Sequence, residues 1–220
     1  MRLGGTLAVG LAAIVIAVAW RLSLFSVSTA GDEKSTDGYV SLYLLAHKQM
    51  KGTAPAKALG IFERILALSD ADLSATQAGP SLEEVKSLVH VDICGLYGTM
   101  FRHQDAIRCA SDQISSAGSS GGAHPNLFNF RGVALASIGD IDGAIENFDT
   151  VVDICKDEGR RHCNSRIVAD ALNSKGAALW HIDIRRARDA FVSALEHVPA
   201  HNQAKQNLHA AEQELSQNML

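Results

Sequence analysis

Along most of this chain apolar residues recur at intervals of three and four, and stretches that alternate apolar with polar residues over a full strand length are rare. The last segment shows the pattern plainly. In Asn202–Leu215, Ala204, Leu208, Ala211 and Leu215 share one face of a helix, while Gln, Lys and Glu fill the other. Such spacing predicts an all-α fold, and composition agrees: Ala and Leu dominate an apolar content of 47%, while aromatics are only 5%.

One stretch departs from the helical period because it has no polar face. Leu3–Trp20, LGGTLAVGLAAIVIAVAW, is 18 residues without a charge. As a helix it would rise about 27 Å, close to the ~30 Å hydrocarbon core of a bilayer. Arg21 can snorkel to the interface and Trp20 suits the headgroup level, so residues 1–25 are expected to form a transmembrane anchor, with residues 3–25 meeting lipid. A cleaved secretory leader is the competing expectation, since Ala17 and Ala19 form an A-x-A pattern. Arg2 and Arg21 lie on opposite sides and leave the orientation open. Residues 26–37, SVSTAGDEKSTD, have a linker's composition, which places the folded part at 38–220.

Within that part the chain resembles itself. LASIGDIDGAIENF (Leu135–Phe148) recurs as LWHIDIRRARDAF (Leu179–Phe191), one residue shorter in the turn. YGTMFRHQDAIRCA (Tyr97–Ala110) aligns upstream, and a more diverged copy ends in APAKALGIFERIL (Ala54–Leu66). Each copy reads as a helix with a small residue mid-length, a short turn, and a second helix opened by Ala. Three of the four carry an aromatic four residues after that Ala; the upstream copy has Ala110 there. The Ser/Gly-rich stretch Ser115–Pro125 is expected to be a loop from which Pro125 starts the next helix.

These residues resemble the tetratricopeptide repeat (TPR), a helix–turn–helix of about 34 residues. Phe128, Gly132, Leu135, Ala144 and Phe148 match its positions 4, 8, 11, 20 and 24. So do Leu172, Gly176, Leu179, Ala187 and Phe191, followed by Ala194 at position 27 and Pro199 at 32. The second copy supplies Ile93, Cys94, Tyr97 and Ala106, and the first supplies Leu42, Leu45, Ala46, Ala58 and Phe62. Arg131 and Lys175 stand at position 7, where the family prefers Leu. The resemblance implies an α-solenoid of about four TPR-like helix pairs, closed by a C-terminal capping helix at Asn202–Leu215. It further implies that the residue at position 8 lets the second helix approach near Ala at position 20, so Gly176 should resist enlargement where loop residue Gly118 tolerates it. First helices line the inner face of such solenoids, which makes Asn126, Asn129, Val133, Ala136, Asn173, Ala177 and Trp180 the candidate partner-binding residues. Asn129 and Asn173 share position 5, where a side-chain amide can hold an extended peptide. The Lys and Asn pattern of the family's chaperone-tail binders is absent, so no carboxylate clamp is carried over.

Candidate chemistry is sparse. The net charge of −4, or 18 basic against 24 acidic residues once Arg2 and Arg21 are set aside, gives no reason to expect nucleic acid. His197 and His201 are four apart, but Pro199 interrupts them, and no metal site is expected. No nucleophile stands beside a base, so no catalytic residue, cofactor or small-molecule substrate is assigned. Cys155 and Cys163 bracket KDEGRRH between two helices and form a possible disulfide if the solenoid faces an oxidising compartment. Cys94, at position 8, reads as a core residue. Asp142, Glu146, Asp149 and Asp153 make an acidic stripe, either a docking face for a basic partner or a solvated face neutralised by Arg185, Arg186 and Arg188.

The resulting expectation is a non-catalytic, membrane-tethered protein–protein interaction scaffold, an accessory subunit or assembly factor whose partners are other proteins of a membrane complex. Its expected place is an organelle inner membrane, mitochondrial first and thylakoid second, with the secretory pathway as the alternative. Two other readings stay open: a soluble secreted TPR adaptor with a cleaved leader, and a small helical enzyme that uses its histidines.

Overall fold

A computed structural model describes residues 38–51, 54–69, 80–118, 122–156 and 162–217, and every regular element among them is an α-helix. In chain order these are α1 (Gly38–Lys51), α2 (Pro55–Ala67), α3 (Leu82–Thr99), α4 (His103–Ser116), α5 (Pro125–Ser137), α6 (Ile141–Ile154), α7 (Ser165–Leu179), α8 (Ile184–His197) and α9 (Asn202–Gln217). The expected anchor (1–25) and linker (26–37) lie outside the described residues. No described helix is long and apolar enough to cross a membrane. The helices gather into two compact units, one ending at Met100 and the other beginning at Phe101, so the boundary falls between the two helices of the second sequence copy.

Local sequence explains where the helices start. Ser81 caps α3 in a capping box with Glu84, and Pro55 opens α2 at a position that needs no N–H donor. Asp140, Asn164 and Asp183 accept backbone N–H bonds at the starts of α6, α7 and α8. Between α5 and α6 the chain reverses at Gly139, whose φ of +91° lets the Asp140 N–H return to the Leu135 carbonyl at 3.0 Å.

In the second unit each helix packs on the next from α4 to α9, and α5 also touches α7 as α7 touches α9. The glycines at position 8 explain the close hairpins, though their main neighbour is not the Ala at position 20. A Cβ on Gly176 would sit 2.4 Å from Phe191 Cε1, and one on Gly132 would sit 2.7 Å from Phe148 Cε1. Each glycine thus makes room for the aromatic at position 24. Phe148 is then free to join Val151, Ile167 and Ala171 in one core, and Phe191 joins Leu179, Ala187 and Ala211. Burying one such ring contributes about 2–3 kcal/mol. Gly118 does not fit its expected tolerance. Its φ is +70°, a conformation that disfavours any other side chain.

The charged residues at position 7 are accounted for by reach. Arg131 donates from Nε to Asn147 Oδ1 at 2.7 Å and lies 5.6 Å from the Phe128 ring centroid. Burial lowers its pKa, partly opposed by Glu146. Lys175 extends from α7 to Asp149 on α6.

The first unit packs α1, α2 and α3 against one another, and here the repeat frame misleads. Leu45, at core position 7, is 43% exposed, whereas Tyr43 and His47 are buried. Both turn toward Asp92 on α3: the Tyr43 hydroxyl donates to Asp92 Oδ2 at 2.7 Å, and His47 Nε2 lies 3.0 Å from the same oxygen. Burial, and then the Asp92 charge, keep the Tyr43 phenol protonated far above its usual range.

Candidate partner-binding face

The residues assigned to the inner face fall on adjacent helices. Asn126, Asn129, Val133 and Ala136 lie on α5, while Asn173 and Ala177 lie on α7, with Trp180 at its C-terminal boundary. Their exposure differs from the expectation. Asn126 and Asn129 are each 5% exposed, and among the described residues the Asn129 Oδ1 has no hydrogen-bond partner. Val133 and Ala136 pack against the Phe148 core. Asn173 and Trp180 are half-buried, and Ala177 is exposed.

The terminal helix completes this face, which the sequence reading did not foresee. Asn207 Nδ2 donates to Asn173 Oδ1 at 2.9 Å, and Gln203 Nε2 donates to Asn207 Oδ1 at 3.0 Å. Seven residues beyond Asn207, the Glu214 carboxylate accepts from Trp180 Nε1 at 3.1 Å. The spacing is informative. Asn173 and Trp180 are also seven apart, so α9 repeats the register of α7 at positions 5 and 12. Rather than only capping the stack, α9 bonds to α7 at both of these positions. A second regularity was available: Asn207 follows Asn173 by 34 residues, as Glu214 follows Trp180. The polar face of α9, rich in Gln, Lys and Glu, masks this regularity because it looks like that of a solvated cap.

The ladder also orients the amide. With its Oδ1 occupied by Asn207, Asn173 keeps its Nδ2 protons free of any partner among the described residues. Asn173 is half-buried and one turn before exposed Ala177, and Trp180, the next residue of the register, is fixed by its bond to Glu214 with its ring centroid 6.0 Å from that of Phe191.

Repeated hairpins, glycine-to-aromatic packing and in-phase first helices together define the fold. The architecture is TPR-like. No protein-family model matches the sequence, and no curated protein does. Among solved structures, the chain is similar to the first TPR of Spaghetti (RPAP3) bound to HSP90 peptide SRMEEVD, at 20% identity and a TM-score of 0.47. The match covers 60% of this chain and 94% of that one.

His201, buried at the start of α9, lies 2.9 Å from Asp170 Oδ1 and accepts the Ala204 N–H. Exposed His197 ends α8, so the two do not form a pair. Among the described residues no group of His, Cys, Asp or Glu is arranged to hold a metal ion. Cys155 and Cys163 are bonded, with Cα atoms 5.3 Å apart. Cys94 is buried as expected, but it is disulfide-bonded, as is Cys109. On α6 the acidic stripe is partly neutralised: Asp149 pairs with Lys175 and Asp153 with Lys156. Arg188 pairs with its neighbour Asp189, and among the described residues no ion pair joins Arg185 or Arg186 to the stripe.

Proposed function

We propose that this chain is a non-catalytic adaptor that binds an extended segment of a partner protein along α7 and α9. The observation that carries the reading is the oriented Asn173 amide: a free donor on a half-buried face suits a peptide carbonyl, and exposed Ala177 leaves room for the backbone. Trp180 supplies the apolar contact that such recognition uses. Leu3–Trp20 supports a membrane tether, and the role that follows is an accessory subunit or assembly factor of a membrane complex. An organelle inner membrane, mitochondrial before thylakoid, remains our proposal for its place.

The disulfides favour an oxidising compartment for the folded part, which also fits the second reading, a secreted adaptor whose leader is removed. Carbonate extraction followed by N-terminal sequencing separates the two. An intact, extraction-resistant chain supports the tether; a soluble chain beginning after Ala19 refutes it. The adaptor itself is tested by co-purification in mild detergent with Asn173→Ala and Trp180→Ala. Loss of the partners recovered with the unaltered chain supports the face, and full recovery with both variants refutes it.

A further inference from the structure

A chain of contacts outside that face joins the Cys155–Cys163 disulfide to the start of α5. Cys155 is the C-cap of α6, and its bond to Cys163 fixes the position of the residue before the α7 cap, Asn164. The adjoining His162 has a φ of +67°, a left-handed conformation that costs a non-glycine residue energy unless its surroundings enforce it. Its ring lies over His124, with centroids 4.5 Å apart and planes inclined by 33°. His124 in turn is the N-cap of α5, where Nδ1 accepts the Asn126 N–H at 3.2 Å. Thus a disulfide at the end of one helix adjoins a residue in a left-handed conformation, and that residue's ring lies against the cap of another helix.

We propose that the Cys155–Cys163 disulfide is a redox-sensitive latch on the N-terminus of α5. Its opening requires a dithiol reductant. One reductant thiolate attacks a disulfide sulfur and forms a mixed disulfide, and the second displaces the remaining protein thiolate. Cys155 and Cys163 together take up two electrons and two protons, and the reductant leaves as its own disulfide. Once Cys163 is free, His162 relaxes from its left-handed conformation and its ring leaves His124. The cap then loses its cover and the first turn of α5, which carries Asn126, frays. This device rests on the cap geometry and is independent of what the face binds.

Hydrogen–deuterium exchange of the full chain in mild detergent tests it, comparing the oxidised protein with Cys155→Ser/Cys163→Ser and with His162→Gly. The glycine variant removes the ring while accepting the left-handed φ without strain. Both variants are expected to exchange the first-turn amides of α5 about fivefold faster, the factor that an ordinary N-cap represents, with α8 unchanged in His162→Gly, which keeps the disulfide. Unaltered exchange in the cysteine variant overturns the latch. Acceleration in the cysteine variant without acceleration in His162→Gly overturns the route through His162. A rise throughout α8 in His162→Gly equal to that in α5 shows that the ring acts on the whole unit, which also overturns a local latch.

Discussion

Replacing Gly176 with alanine should destabilise the second unit, although the same change in an open helix stabilises. Alanine is favoured over glycine inside a helix by about 1 kcal/mol. Against that gain stands the position of the new methyl, 2.4, 2.7 and 2.8 Å from three atoms of the Phe191 ring. Phe191 is fully buried, so the ring has no empty space to enter. Overpacking typically costs about 1–3 kcal/mol, and contacts this short call for the upper part of that range, about 2–3 kcal/mol, for a net loss of roughly 1–2 kcal/mol after the helical gain. Gly60→Ala is the opposite case, because no atom lies within 4 Å of its Cβ and the site is exposed; it should stabilise the first unit by about 0.5–1 kcal/mol. Urea denaturation of the full chain in mild detergent provides the assay. Trp180 fluorescence in a Trp20→Phe background reports the second unit, and far-UV circular dichroism reports all the helices. Adding Phe191→Leu to Gly176→Ala should recover part of the loss, giving a coupling of about 1 kcal/mol. If Gly176→Ala is as stable as the unaltered protein, the glycine-to-aromatic packing that defines the repeat is wrong.

Burial, with the nearby His162, pushes the His124 pKa down to about 3. The folded state therefore binds fewer protons than the unfolded state between pH 6.5 and 3: stability is full above pH 6.5 and falls as pH drops through this window. At pH 5 the loss is about 2 kcal/mol, and His124→Asn, which keeps a capping oxygen, should flatten the difference between urea midpoints at pH 7 and pH 5. His201→Ala should cost about 3 kcal/mol by leaving buried Asp170 without its closest partner, whereas exposed His197→Ala should stay within about 0.5 kcal/mol; thermal melts compare the two. Opening the Cys155–Cys163 bond, which spans a sequence separation of 8, should lower stability by about 2.5 kcal/mol in a chain-entropy estimate, measured by urea denaturation of Cys155→Ser/Cys163→Ser.

Where hairpin pattern and packing coincide, the sequence was readable. Gly132, Gly176, Phe148 and Phe191 mark the close contacts because a missing side chain and a large ring at fixed spacing have one economical arrangement in a stack of hairpins. The starts of α5 at Pro125 and of α9 at Asn202 were legible from proline and from helical spacing. The first unit was not. Burial of Tyr43 and His47 instead of Leu45 depends on a carboxylate 45 residues or more away in sequence, and periodicity carries no information about such a partner. Asn129 and Asn173 could be placed on adjacent helices, but burial of the one and freedom of the other follow from packing and from Asn207, which sequence composition had relegated to a solvated cap. The disulfide state of Cys94 and Cys109 was hidden for a similar reason: one stands at a core position, where a small apolar residue explains it equally well.

The most direct test of the proposed binding face compares two sets of variants by quantitative co-purification from native membranes. Asn173→Ala/Trp180→Ala alters the face of α7, and Asp142→Asn/Glu146→Gln alters the exposed acidic stripe of α6. Both sets are matched for membrane abundance and melting temperature. The account predicts that the partners recovered with the unaltered chain are lost with the first pair and retained with the second. Retention with the first pair and loss with the second would contradict it and move recognition to the acidic helix.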